Sequence, residues 1–233
     1  METSEDTILN GRIKLLQPKN GYRVAVDPII LAYFVDSFPE QKVLDVGCGA
    51  GTVSLILKMR EKLTKITAID LDEKMCHICR QNSQKNLLNI DVINVDIKHF
   101  SEKSFDQVVT NPPFFEEQFF RTSALQRLAK FETISISEWI KSCFQALKPR
   151  GVFTMIHRAV RIGDILYALK LVKAGGTVIV PIYSKENQEA KRIVVRSIKG
   201  SKAEPKILPG LLIHKTDGTY SDMMQKILSG EIK

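Results

Sequence analysis

Long apolar runs are missing from this 233-residue chain. No stretch approaches the roughly 20 residues that span a bilayer, and no signal-peptide pattern opens it. Cysteine is scarce, at four residues. Cys76 and Cys79 form a Cys-x-x-Cys, but no second pair follows and His77 leaves a zinc tetrahedron incomplete. That excludes a disulfide framework and gives no metal site; packing thiols on a helix are expected instead. Internal repeats and low-complexity tracts are also lacking, which leaves one compact unit. Acids are outnumbered, 26 against 34 lysines and arginines, for a formal net charge of +8. The remaining composition, 44% hydrophobic and 26% charged, suits a globular chain that buries roughly 70–75% of its unfolded surface. A cytoplasmic enzyme is expected.

What is present points to chemistry. The apolar run Phe105 to Thr110 reads as a buried strand, stopped by Asn111-Pro112-Pro113-Phe114. The proline pair stiffens the backbone and aims two acceptors, the Asn111 amide oxygen and the Pro112 carbonyl, into one cleft. Phe114 adds a flat apolar face. Two acceptors and a stacking ring suit a planar –NH2 group, such as that of adenine or of an amide.

Upstream, Val43-Leu-Asp-Val-Gly-Cys-Gly-Ala-Gly-Thr52 carries an apolar strand into a turn with Gly47, Gly49 and Gly51, and then into a helix. Glycines permit positive φ and let a cofactor approach the backbone. The spacing is Gly-x-Gly-x-Gly, and Asp45 precedes it. A second strand ends in Asp70, about 20 residues past the glycines, where an acid meets a ribose diol. A third strand, Asp91 to Asp96, again ends in an acid. Strand-end capping is the alternative for both carboxylates.

Glycine turn, acid, acid and Asn-Pro-Pro-Phe, each closing a successive strand, resemble the class I S-adenosylmethionine-dependent methyltransferases that modify amino nitrogens. The segment Leu15-Leu-Gln-Pro-Lys-Asn-Gly-Tyr-Arg-Val-Ala-Val-Asp-Pro-Ile-Ile-Leu-Ala32 is similar to the opening of bacterial tRNA(Val) adenine-N6 methyltransferases. Arg192 to Ser201, Leu211 to His214 and Asp217 to Tyr220 match that family's ending. The resemblance implies an α/β, Rossmann-like fold: a seven-stranded, mostly parallel sheet with an antiparallel edge strand and helices on both faces. It implies S-adenosyl-L-methionine as cofactor and an adenine 3′ of a tRNA anticodon as acceptor.

Roles follow from the same resemblance. Asn111 and Pro112 accept from the amino group and Phe114 stacks on the base. Asp45 holds the cofactor's amino end through backbone and water, and Gly47, Gly49 and Gly51 line its methionine portion. Asp70 takes the ribose hydroxyls, while Asp96 and the Ile97 amide read the adenine. Tyr22, Arg23 and Asp27 close the cleft, although a helix N-cap explains Asp27 equally well. Asp72 is a second ribose candidate or the start of the next helix. Many relatives have Tyr where this chain has Phe114, so only a hydroxyl contact is lost.

Basic residues cluster after the strand ends: Arg121, Arg127 and Lys130, then His157, Arg158 and Arg161, then Lys191, Arg192, Arg196 and Lys199. Cleft-side charge of this kind suits a phosphodiester, here tRNA, bound through counterion release; a solvated basic face is the bland alternative. Trp139 and the Phe119-Phe120 pair read as core or lid packing. No stable protein partner is implied; a monomer or homodimer is expected. Residues 1–40 are expected as an N-terminal extension and helix over the cleft, 41–200 as the methyltransferase domain, and 201–233 as a tail completing it. Residues 1–26 read as a polar, basic extension. Three rivals stay open: glutamine methylation of a protein, DNA methylation, which usually needs a target-recognition domain that this chain lacks, and a non-catalytic cofactor- or RNA-binding subunit.

Overall fold

Apolar strands alternating with helices build one mixed sheet, covered on both faces. The computed structural model describes residues 2–19, 26–36, 38–113 and 134–231. Two strand–helix–strand crossovers come first: β3 (Lys42–Val46), α2 (Thr52–Arg60), β4 (Lys65–Asp70), α3 (Glu73–Lys85) and β5 (Asp91–Asn94). The chain then returns to the other side of β3 as β6 (Phe105–Thr110). Next come α4 (Ile136–Ala146), β7 (Leu147–Arg158), a 3-10 turn (Ala159–Arg161) and α5 (Ile162–Leu171). β8 (Ala174–Tyr183), β9 (Ala190–Lys199), β10 (Lys206–Ile207), β11 (Leu211–Leu212) and α6 (Asp222–Ser229) follow.

The nine-stranded sheet runs β10-β8-β9-β7-β6-β3-β4-β5, with β11 also on β8. Strands β3 to β7 are mutually parallel, whereas β9 is antiparallel to both β7 and β8. The sheet thus has seven long strands, as expected, plus two short ones. One expectation fails: the antiparallel strand is not at the edge. β9 slots between β7 and β8, so it gives both of its backbone edges to the ladder.

Apolar side chains form a layer on each face. One joins α1 (Asp27–Tyr33), α2, α3 and α6; the other joins α4 and α5 through Ile140, Phe144, Ile165 and Leu169. Residues 1–26 are not a mere polar extension. β1 (Thr3–Ile8) and β2 (Ile13–Pro18) form an antiparallel hairpin whose Leu9, Ile13 and Leu15 join the first layer.

Other boundaries shift for local reasons. The expected helix Ile29 to Ser37 starts at Asp27 with Pro28 in its first turn and stops at Tyr33; Ser37 lies outside the described residues. A Ser135–Glu138 capping box sets the start of α4. The turn expected at Lys148 to Gly151 persists as a bulge inside β7: Phe105 pairs with Leu147, but Gln107 pairs with Val152. β5 ends at Asn94, so Asp96 sits in the turn beyond it. Among the described residues, no helix is long and apolar enough to cross a membrane.

Candidate active site

The order of strands fixes where a ligand crevice opens. β4 and β5 extend to one side of β3 and β6 returns to the other, so β3 and β6 flank a topological switch point. Val46 and Thr110 are their last paired residues. Beyond that pair one chain turns through Gly47 and the other becomes Asn111-Pro112.

The glycine turn folds back onto β4: the Gly47 and Cys48 N–H groups both donate to the Ile69 carbonyl, at 2.9 and 3.0 Å. Gly47, Gly49 and Gly51 have φ of +70°, +54° and +85°, a region that side chains rarely enter. Gly51 is fixed twice over, since a Cβ there would stand 2.5 Å from Cys79 Sγ and push α3 off α2. Cys76 and Cys79 are buried on α3, as packing thiols.

Three carboxylates surround this turn. Asp45 is 1% exposed, and its Oδ2 accepts from the Ser54 N–H at 3.1 Å and Oγ–H at 2.6 Å, anchoring the first turn of α2. Burial pushes the Asp45 carboxyl up to about 6, against the pull of the Ser54 bonds. Asp70 accepts from Gly49 N–H on Oδ2 and Asp72 N–H on Oδ1, both at 2.9 Å. Burial raises this carboxyl as well, and the backbone donors oppose the rise. Asp96 accepts from Lys98 N–H at 2.9 Å, and the adjacent Ile97 is buried. Asp72 caps α3 through Lys74 N–H at 2.8 Å, in keeping with its role as a helix start.

Asn111 is half-buried beside the turn. Among the described residues, no donor reaches its buried Oδ1. Leaving such an acceptor unpaired costs about 1–3 kcal/mol. Pro112 is buried next to it.

Asp27 is not a capping side chain. It lies inside α1, and its Oδ2 accepts from Arg192 Nε at 2.9 Å. Arg192 also donates to the Lys191 carbonyl, and it stands opposite Arg158 across the β7–β9 ladder. Arg161 pairs with Asp164 at 2.5 Å. Arg158, Arg161, Lys191 and Arg192 thus gather at the carboxyl end of β7, one strand from Asn111. His157 there is 6% exposed, and burial pushes its imidazole down to about 4. It is neutral at pH 7 and carries no charge for a phosphate.

The C-terminal basic run is split by the direction of β9. Its start reaches this rim, while Arg196, 3.9 Å from Asp36, and Lys199, on the Phe144 and Leu147 carbonyls at 2.6 Å each, sit at the opposite end. Tyr22, Arg23, Phe114, Phe119, Phe120, Arg121, Arg127 and Lys130 lie outside the described residues.

Residues 28–161, more than half of the chain, match the methyltransferase small domain. The chain belongs to that family. The methyltransferase small domain contains Asp45, the three glycines, Asp70, Asp96, Asn111, Pro112, Arg158 and Arg161; Lys191 and Arg192 lie beyond it. A Glaesserella parasuis protein named tRNA1(Val) (adenine(37)-N6)-methyltransferase is 34% identical over 137 residues, 58% of each chain. This chain therefore aligns with little more than half of that relative's length. An Aeromonas hydrophila protein of the same name is 26% identical over 212 residues, 89% of each. Among solved structures, one described as a predicted O-methyltransferase of Agrobacterium tumefaciens superposes with a TM-score of 0.73 at 20% identity, over 88% of this chain and 97% of that one. M. jannaschii TYW2 in complex with AdoMet gives 0.61 at 16%, over 84% and 85%. These likenesses establish the class I methyltransferase fold.

Within the methyltransferase small domain, sequence reasoning missed Asn82 of α3. Fully buried, it donates to the Ala50 carbonyl of the glycine turn at 2.9 Å and to the Leu16 carbonyl at 3.0 Å, and it accepts from Leu16 N–H at 2.7 Å. The available signal was a polar residue on the apolar face of α3. The Asp27–Arg192 pair spans 165 residues and left no local signal.

Proposed function

We propose that this protein transfers a methyl group from S-adenosyl-L-methionine to the exocyclic N6 of an adenine in tRNA, the adenine 3′ of the anticodon in a valine tRNA. The observation that carries the acceptor chemistry is the buried Asn111 Oδ1, without a partner among the described residues, beside a left-handed glycine turn. The names of the relatives support the choice of tRNA and of its adenine.

The residues fit the cofactor. Asp70 offers two carboxylate oxygens, oriented by the Gly49 and Asp72 N–H groups, and such an acceptor pair is what a vicinal diol needs. A Cβ at Gly49 would meet only the Met75 methyl at 3.8 Å, so the turn is open there. We assign Asp70 to the ribose, Asp96 and the Ile97 amide to the adenine, and Gly47, Gly49 and Gly51 with Asp45 to the methionine end. When bound, the cofactor supplies a methyl group activated by sulfonium charge.

The chain's own task is to prepare the acceptor nitrogen. Its lone pair is delocalised into the adenine ring and is poorly nucleophilic. Asn111 Oδ1 and the Pro112 carbonyl accept its two N–H bonds, which favours a pyramidal nitrogen with a localised pair. Phe114 stacks on the base and sets the angle of approach. Positioning alone is worth up to roughly 7–11 kcal/mol in model systems. No strong base is required, because the proton turns acidic only once nitrogen is alkylated. Arg158, Arg161 and Lys191 hold phosphates at the rim, and Arg192 serves chiefly to hold Asp27.

The test is radiolabelled methyl transfer into tRNA lacking its own modifications, with nucleoside analysis. N6-methyladenosine in a valine tRNA is the expected product; label in protein instead would move the acceptor to glutamine. Asn111→Ala should lower turnover about 100-fold while the cofactor's Kd stays within about twofold. Asp70→Asn should do the reverse and raise that Kd roughly 10- to 100-fold, read by calorimetry.

A further inference from the structure

We propose that Trp139 is a positioning residue that keeps the glycine turn and Asn111 in register through the hydroxyl of Thr110. This rests on the methyl-transfer reading of the site. Trp139 projects from α4, outside the strand ends that build the crevice. Its Nε1–H donates to Thr110 Oγ1 at 3.1 Å, and that hydroxyl donates onward to the Val46 carbonyl at 2.8 Å. Val46 is the residue before Gly47, and Thr110 is the residue before Asn111. The pair Val46–Thr110 is also the last rung of the β3–β6 ladder. The side-chain chain from indole to hydroxyl to carbonyl is therefore a cross-link at the point where the two strands diverge into the two halves of the site. The ring reaches further: a Cβ on Gly47 would lie 3.5 Å from Cζ2 and Cη2 of Trp139.

Packing alone does not account for this arrangement. Thr110 is fully buried, and a valine would fill its position in an apolar strand; the hydroxyl is tolerated because both its donor and its acceptor capacity are used. Trp139 is partly buried, and its N–H is directed inward to the buried Thr110 hydroxyl. Holding the acceptor amide against the cofactor turn matters, because small misplacements of reacting groups cost large factors in rate.

Trp139 is the single tryptophan of the chain, which makes the relay visible. The experiment compares wild type with Thr110→Val, Thr110→Ser, Trp139→Phe and the Trp139→Phe/Thr110→Val double variant. Trp139→Phe keeps an aromatic ring but removes the donor together with the Cζ2 and Cη2 atoms nearest Gly47; Thr110→Val keeps the volume and removes only the relay, so it is the cleaner variant. Expected are kcat losses of about 10- to 100-fold for Thr110→Val and Trp139→Phe, with the Kd for S-adenosylhomocysteine by calorimetry within about twofold of wild type. Thr110→Ser should restore kcat, and the double variant should be no slower than the worse single one. Wild-type kcat in Thr110→Val, or losses in kcat and affinity that move together, would overturn the proposal. Tryptophan emission gives a reading independent of the acceptor. Should wild type transfer no methyl group to tRNA, the substrate reading fails on its own and emission decides. A response to S-adenosylhomocysteine in wild type that Thr110→Val loses upholds the relay; the same response in both, or none in either, sinks it.

Discussion

At the scale of single residues, two buried groups titrate in opposite senses. Asp45 is raised from 3.8 to about 6, so the folded protein binds its proton more tightly than the unfolded chain does. The stability it contributes is complete below pH 3.8 and is lost as pH rises through about 6. His157 is lowered from 6.5 to about 4, so the unfolded chain takes the proton first. Its contribution is complete above pH 6.5 and fades as pH falls toward about 4. Each shift is worth up to about 3 kcal/mol, and over the shared window the two offset one another. Relative to the Asp45→Asn/His157→Gln double variant, Asp45→Asn should gain stability as pH rises from 4 to 6.5, and His157→Gln should lose it. Urea unfolding across that range reads both slopes; slopes of one sign would refute the assignment. Residue roles were the part of the site least legible beforehand. That Asp45 and Asp70 lie near strand ends is visible as text, but that Ser54 engages one and Gly49 and Asp72 share the other depends on how the turn folds back.

Elements meet here through side chains that imitate backbone. Asn82 of α3 and Asn86, the residue that caps its end, lie four apart and grip Leu16 and Lys14, two apart on β2, each amide taking one N–H and one C=O. Four helical residues advance about 6 Å and two strand residues about 6.8 Å, so the repeats match. α3 therefore acts as a further strand beside the hairpin, and Asn82 carries the connection on to Ala50. Asn82→Ala should cost about 3 kcal/mol in urea unfolding, since it strands three backbone groups away from water. Asn86→Ala, half-exposed, should cost less than about 1.5 kcal/mol because water replaces the amide. Equal losses would contradict this division. The hairpin itself was readable. Asn10-Gly11 joins a run in which Ile13, Leu15 and Gln17 alternate with Lys14 and Leu16, the pattern of a half-buried strand. Strand β6 is legible to the residue, because an apolar run stopped by a proline pair leaves few alternatives.

For the whole molecule, strand order decides more than any one motif. The return of β6 to the far side of β3 opens the crevice, and the reversed run of β9 divides the basic residues between its two ends. Neither is written in local sequence; both follow from pairing between distant segments. Charge is thus concentrated at the active-site rim by topology, although the excess of +8 is spread along the chain. Binding of unmodified tRNA should weaken with salt, with a log–log slope of about −2 or steeper if three phosphates are held. Arg158→Ala or Lys191→Ala should flatten that slope, and Arg150→Ala, in the bulge at the opposite end of β7, should not. A slope near zero in the wild type would remove the rim from the docking surface.

The place of β9 also sets a timetable. It is synthesised after β8 yet lies between β8 and β7, so β8 has no seat in the sheet until residues 190–199 have emerged. On a translating ribosome adding roughly 5–20 residues per second, the edge of β7 stays unpaired for seconds. That edge runs past Phe153, Met155 and Ile156, and an open apolar strand is a template for wrong partners. Nascent chains arrested before Ala190 has emerged from the ribosome should therefore depend on chaperones, and those arrested once Lys199 has emerged should not.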